Sequence, residues 1–167
     1  MDESTKSCVY DCPTGSYANI VNNECTKCSA DCTTCSGPNT TDCLSCTLPL
    51  YYQVKTNTCT NSCSTGYFMS ATSNPVCLSC DSTCLTCSGA SNSECLSCSG
   101  SLFFNTSTKI CDIDCPTNQY RNSSNNICTA CDSTCTTCTG GSSSECLSCI
   151  LPNYYQSTTH SCVSTCS

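Results

Sequence analysis

The stretch Cys25-Thr-Lys-Cys28-Ser-Ala-Asp-Cys32-Thr-Thr-Cys35-Ser-Gly-Pro-Asn-Thr-Thr-Asp-Cys43-Leu-Ser-Cys46 places six cysteines in 22 residues with almost nothing apolar between them. Its spacing is C-x2-C-x3-C-x2-C, a gap of seven, then C-x2-C. Such a segment has no hydrophobic face to bury, so its order must come from its sulfurs. The same spacing returns from Cys77 to Cys98 and from Cys128 to Cys149. A C-x3-C pair stands 12 or 13 residues upstream of each copy, and 12 residues separate each copy from the next such pair. Cys59 to Cys98 aligns on Cys8 to Cys46 and on Cys111 to Cys149, with offsets of 51 and 52 residues. A fixed period of this kind marks a tandem array. After a flank at 1–7, the repeats run over 8–58, 59–110 and 111–161, and 162–167 opens a fourth, truncated unit.

Composition sets the compartment and the fold class. Cysteine makes up 26 of 167 residues, against three Phe and no Trp, which is too little apolar volume for one core of this length. Cross-links replace burial: each short loop closed by a disulfide removes roughly 2–4 kcal/mol of unfolded-state freedom in the chain-entropy account. The reduced chain is expected to be unfolded, and the oxidised one to reside outside the cell or on its surface, by way of the secretory pathway. Met1 to Ser7 is polar, and no apolar run is long enough for a signal sequence or a membrane span, so direct membrane insertion is not expected. The chain reads as a window cut from a longer array.

A net charge of −7 has the wrong sign for binding nucleic acid or an anionic membrane. Ser, Thr and Asn supply the solvation instead, with hydroxyls for O-linked glycans. Asn39-Thr-Thr, Asn105-Thr-Ser and Asn122-Ser-Ser are N-glycosylation sequons.

Other residues repeat with the cysteines. Cys12-Pro-Thr-Gly-Ser-Tyr17, Cys63-Ser-Thr-Gly-Tyr-Phe68 and Cys115-Pro-Thr-Asn-Gln-Tyr120 put a turn and an aromatic at one site. Cys-Leu-Ser-Cys recurs at Cys43, Cys95 and Cys146, and aromatic pairs follow it at Tyr51-Tyr52, Phe103-Phe104 and Tyr154-Tyr155. The aromatic segments are β-prone, and Val21-Asn-Asn-Glu24 and Lys55-Thr-Asn-Thr58 are turn-rich, so short two-stranded ribbons with almost no helix are expected. The fold class is therefore small, disulfide-rich and mostly β or irregular: an elongated rod of tandem hairpin modules. Tyr17, Tyr52 and Phe104 read as packing between ribbons, with an exposed tyrosine stripe for a partner as the alternative.

The full spacing, with Pro and Gly after the last cysteine pair, resembles the furin-like cysteine-rich repeat. That repeat occurs in the cysteine-rich regions of some proprotein convertases and growth-factor receptors, in R-spondins, and in many ciliate and other protist surface proteins. The Asn, Thr and Ser bias resembles the protist versions. The resemblance implies single-bridge ribbons alternating with interlocked double-bridge ones. On this chain it implies Cys12–Cys25, Cys28–Cys35, Cys32–Cys43 and Cys46–Cys59; then Cys63–Cys77, Cys80–Cys87, Cys84–Cys95 and Cys98–Cys111; then Cys115–Cys128, Cys131–Cys138, Cys135–Cys146 and Cys149–Cys162. Cys8 and Cys166 are left over, as candidates for bridges to neighbouring units or to other copies.

Rival readings of the same residues are weaker. Cys25-x2-Cys28 and Cys43-x2-Cys46, 14 residues apart, mimic a zinc site, but Cys32-x2-Cys35 sits between them and few basic residues balance the charge. No metal or other cofactor is expected. A thioredoxin-like thiol would need an α/β setting. The one histidine, His160, recurs in no other repeat, so no catalytic residue is assigned and no enzyme activity is expected. Asp42, Glu94 and Glu145, and again Asp31, Asp81 and Asp132, read as a solvated acidic stripe, with calcium as the alternative. The function expected is that of an extracellular structural or interaction protein: a glycosylated rod forming a coat, spacer or filament with copies of itself or neighbouring repeats. A receptor or regulator module that grips a protein ligand is the alternative.

Overall fold

The computed structural model describes residues 11–70, 72 and 74–165. Cys8 and Cys166 lie outside the described residues, as do Ala71 and Ser73. Among the described residues there is no helix, and the backbone forms 18 short strands.

Three kinds of hairpin follow one another. β1 (Ser16–Asn19) and β2 (Glu24–Lys27) form a single-bridge hairpin, held by Cys12–Cys25. β3 (Cys32–Cys35) and β4 (Cys43–Cys46) form an interlocked ribbon, crossed by Cys28–Cys35 and Cys32–Cys43. β5 (Tyr51–Gln53) and β6 (Thr58–Thr60) form an aromatic hairpin, tied back to the ribbon by Cys46–Cys59.

The order then repeats. β7 (Tyr67–Ser70) and β8 (Val76–Ser79) carry Cys63–Cys77. β9 (Cys84–Cys87) and β10 (Cys95–Cys98) carry Cys80–Cys87 and Cys84–Cys95. β11 (Phe103–Asn105) and β12 (Ile110–Asp112) carry Cys98–Cys111. β13 (Gln119–Asn122) and β14 (Ile127–Ala130) carry Cys115–Cys128. β15 (Cys135–Cys138) and β16 (Cys146–Cys149) carry Cys131–Cys138 and Cys135–Cys146, and β17 (Tyr154–Gln156) and β18 (Ser161–Val163) carry Cys149–Cys162.

Sulfur is the core. Cys43, Cys95 and Cys146 are wholly buried; among the described residues the buried hydrophobic set is half-cystines with Phe104 as its one large apolar side chain, and Gln53 is buried beside them as a polar one. Tyr17 and Tyr52 pack against Cys32, Cys35 and Cys43, and Tyr120 packs against Cys135, Cys138 and Cys146. Across each ribbon a hydroxyl pair lies opposite: Thr34 with Ser45, Thr86 with Ser97, and Thr137 with Ser148.

Turn chemistry explains where the chain reverses. Pro13 carbonyl accepts from the Ser16 N–H, which puts Gly15 at the third position of a β-turn with φ +84°. Asn118 takes the equivalent place in the third repeat with φ +68°.

One feature departs from simple two-stranded ribbons. β5 and β6 join β8 and β7 in a four-stranded sheet, through a parallel contact of β5 with β8 at Tyr52 and Val76. β11 and β12 join β14 and β13 likewise, at Phe104 and Ile127. The outer edge of an aromatic hairpin presents backbone donors that need a partner, and the next repeat supplies it.

The chain falls into two compact units, Met1–Ser79 and Cys80–Ser167, and each four-stranded sheet lies inside one of them.

Candidate interaction and modification sites

The seven-residue loop of each interlocked ribbon is closed by its own carboxylate. Asp42 Oδ2 accepts the Asn39 N–H at 2.9 Å, Glu94 Oε2 accepts Ser91 N–H at 3.0 Å, and Glu145 Oε2 accepts Ser142 N–H at 2.9 Å. Each folds over a glycine: a Cβ on Gly37, Gly89 or Gly140 would collide with the carboxylate of Asp42, Glu94 or Glu145. The acidic residues before Cys-Leu-Ser-Cys are thus loop clasps. The glycine half of the clasp was missed in the sequence, although it stands two residues after a cysteine in every repeat.

The second acidic set is not one set. Asp81 and Asp132 directly follow a cysteine, and each Oδ1 accepts both the N–H and the hydroxyl of Thr83 or Thr134. These bonds, the hydroxyl's foremost, hold both carboxyls below the ordinary carboxylate range. Asp31 directly precedes Cys32 instead, so it is not their equivalent.

His160 also has counterparts. Asn57, Lys109 and His160 occupy the same left-handed turn position, with φ of +54°, +61° and +50°. Their carbonyls accept from the N–H groups of Cys43, Cys95 and Cys146 at 3.1, 3.2 and 2.9 Å. Their side chains all meet the second aromatic of the pair. Tyr52 Oη donates to Asn57 Oδ1 at 2.8 Å, Lys109 Nζ lies 5.5 Å from the Phe104 ring centre, and Tyr155 Oη lies 2.8 Å from His160 Nδ1.

One junction differs in chemistry. Arg121, the chain's one arginine, lies 6.0 Å from the Phe103 ring centre and 3.4 Å from Asp114, on an exposed surface. Asp114 and Cys115 border two concavities, of about 340 Å³ and 280 Å³. The first also takes in Gln119, Tyr120 and Leu147, and the second Phe103, Ile110 and Asp112.

The sequon asparagines sit on a ribbon loop or at the end of a strand. Asn39 is exposed on the ribbon loop, and its Nδ2 donates to Asp42 Oδ2 at 2.8 Å. Asn105 ends β11, and its Oδ1 accepts from Ser107 and Thr108 N–H at 2.9 and 3.2 Å. Asn122 ends β13, and its Oδ1 accepts from Ser124 N–H at 3.1 Å.

The two cysteines of each C-x2-C bond in opposite directions, as Cys25 does to Cys12 and Cys28 to Cys35. The sulfurs of Cys135, Cys146 and Cys162 lie within 4.8 Å of one another, but each is in a disulfide and has no thiolate to offer a metal.

Successive cystine-cored hairpins define a small disulfide-rich β-repeat protein. No protein-family model matches the chain. It is 31% identical over 170 residues to Cysteine repeat modular protein 2 of Tetrahymena thermophila, covering 94% of this chain and 9% of that protein. It is 34% identical over 145 residues to Extracellular matrix organizing protein FRAS1 of Homo sapiens, covering 86% of the chain and 3% of that protein. It is also 34% identical over 157 residues to Proprotein convertase subtilisin/kexin type 5 of Branchiostoma californiense, covering 94% of the chain and 9% of that protein. The chain thus spans less than a tenth of each of these relatives. The chain is similar to these relatives in its furin-like cysteine-rich repeats, with ciliate proteins among them. It is an extracellular cysteine-rich repeat protein, and the protease matches fall on the cysteine-rich repeat, not on a catalytic domain.

Proposed function

We propose that the chain is a structural segment of a cell-surface coat, spacer or filament, glycosylated at Asn39, Asn105 and Asn122 and acting without catalysis. The observation that carries this reading is the recurrence of one cystine-cored ribbon, with its carboxylate clasp, in every repeat. A run of equal ribbons whose loops each close on their own carboxylate suits a spacer, because a specific site makes one unit depart from the rest. The sequons support glycosylation by their placement: Asn39 is exposed, and a glycan on its Nδ2 leaves one N–H for Asp42.

Non-reducing peptide mapping of native material by mass spectrometry is the test. The expected result is glycan mass on the three sequon peptides, with Cys8 or Cys166 joined to a peptide of another unit or copy. Bare sequons with both cysteines free or blocked would overturn the coat or filament reading.

A second reading, a ligand-binding module, is favoured by the Arg121, Asp114 and Phe103 cluster, which recurs in no other repeat. It predicts that Arg121→Ala abolishes capture of a soluble protein ligand and leaves the disulfide map unchanged.

A further inference from the structure

Two junctions inside the chain are built alike. Tyr52 N–H donates to the Pro75 carbonyl at 2.9 Å where β5 meets β8, and Phe104 N–H donates to the Asn126 carbonyl at 2.9 Å where β11 meets β14. In both, the second aromatic of a pair receives a single-bridge hairpin of the following repeat. In both, a β-branched residue stands directly before that hairpin's second cysteine: Val76 before Cys77, and Ile127 before Cys128. Around the second junction Leu85, Leu96, Phe104 and Ile127 line a concavity of about 260 Å³.

The third aromatic hairpin has the same antiparallel register, with Tyr155 opposite Cys162 as Phe104 is opposite Cys111. Among the described residues, however, β17 pairs with β18 alone. Exposure records the difference: Phe104 is 9% exposed, whereas Tyr155 is 39% and Tyr154 55%.

We propose that the outer edge of β17, centred on Tyr155, is a docking site for the single-bridge hairpin of a further cysteine-rich repeat, one that carries a β-branched apolar residue directly before its second cysteine. The proposal rests on the array reading above and names its joint. Tyr155 N–H stands where Phe104 N–H stands and takes a carbonyl of the incoming turn, while the aromatic pair receives the apolar residue. This is strand addition to an open edge, with one side-chain position setting specificity. The occupant is a further unit of an array and not a second copy of this chain. The hairpins β7–β8 and β13–β14 are already engaged. The remaining one, β1–β2, places Glu24 before Cys25, and a charge at that point on an edge strand opposes pairing.

The test uses the oxidised full chain and two synthetic hairpins: residues 114–130 closed by Cys115–Cys128, and residues 11–27 closed by Cys12–Cys25. The expected result is saturable binding of the first, with NMR shift changes confined to Tyr154, Tyr155 and their neighbours, and binding of the second at least tenfold weaker. Tyr155→Pro removes the outward N–H while leaving the β17–β18 ladder its own bonds, and is expected to abolish binding; Tyr155→Phe is expected to retain it. A probe with Ile127→Lys, which leaves the protein untouched, is expected to lose binding. No binding of the first hairpin, equal binding of the two, or binding that survives Ile127→Lys would overturn the proposal. Failure here leaves the disulfide and glycan map intact, whereas failure of the array reading appears in that map itself.

Discussion

The interlocked ribbon and the aromatic hairpin that follows it behave as opposites. The ribbon keeps the same bridges, the same threonine and serine hydroxyl pair and the same clasp in all three repeats. The aromatic hairpin keeps its backbone but changes its contacts: Tyr52 with Asn57, Phe104 with Lys109, Tyr155 with His160. Covalent links that hold the ribbon leave its side chains little freedom to vary. The hairpin is held by one bridge and its backbone, so its turn residue can change provided it tolerates a positive φ. Chemistry that distinguishes one unit from another should accordingly be sought in the hairpins and their junctions.

Full reduction is the broadest attack on this contrast. With thiols freed, neither region has enough apolar surface to remain folded, and the far-ultraviolet circular dichroism and amide-proton dispersion of the oxidised chain are expected to vanish together. The next largest effect is expected inside one ribbon: Cys84→Ala with Cys95→Ala opens an 11-residue separation and should lower stability by about 2–4 kcal/mol in denaturant titration. Gly89→Ala drives a Cβ into the Glu94 carboxylate, so the Ser91 N–H loses its acceptor; about 1 kcal/mol is expected from the same titration. In the hairpin, Lys109→Ala removes only the cation over Phe104 and should cost about 0.5–1 kcal/mol. If Lys109→Ala proves as costly as the paired cysteine change, the contrast between the two regions is broken.

Acid should produce the smallest effect and a distinctive one. Asp81 and Asp132 titrate below their ordinary value of 3.8 in the folded chain, held down by Thr83 and Thr134. Their contribution is present above the ordinary carboxylate range and is lost as pH falls through the lowered folded values. Carbon-13 titration of the carboxyls should find both depressed. Thr83→Val should move Asp81 back up and leave Asp132 where it was.

Cysteine spacing, the turn residues and the aromatic pairs make the lack of helix among the described residues, the short hairpins and the furin-like repeat legible in the sequence itself. They reach that far because cross-link density and hairpin turns are written in residue type. Several features were not written that way. Which cysteines bond is left open by the C-x2-C spacing; the resemblance supplied a pairing, and in the structure it is set by which Cα atoms approach to between 5.1 and 5.8 Å. His160 looked solitary because its counterparts are Asn57 and Lys109, and only the shared positive φ reveals a common position. The acidic residues were legible as a pattern, but their clasp over Gly37, Gly89 and Gly140 depends on a close approach visible only in three dimensions. The parallel joints at Tyr52 and Phe104 belong to tertiary structure altogether. They form because an open strand edge leaves backbone groups in need of partners, and a backbone N–H is the same in every residue but proline, so no side-chain pattern announces where it will be satisfied.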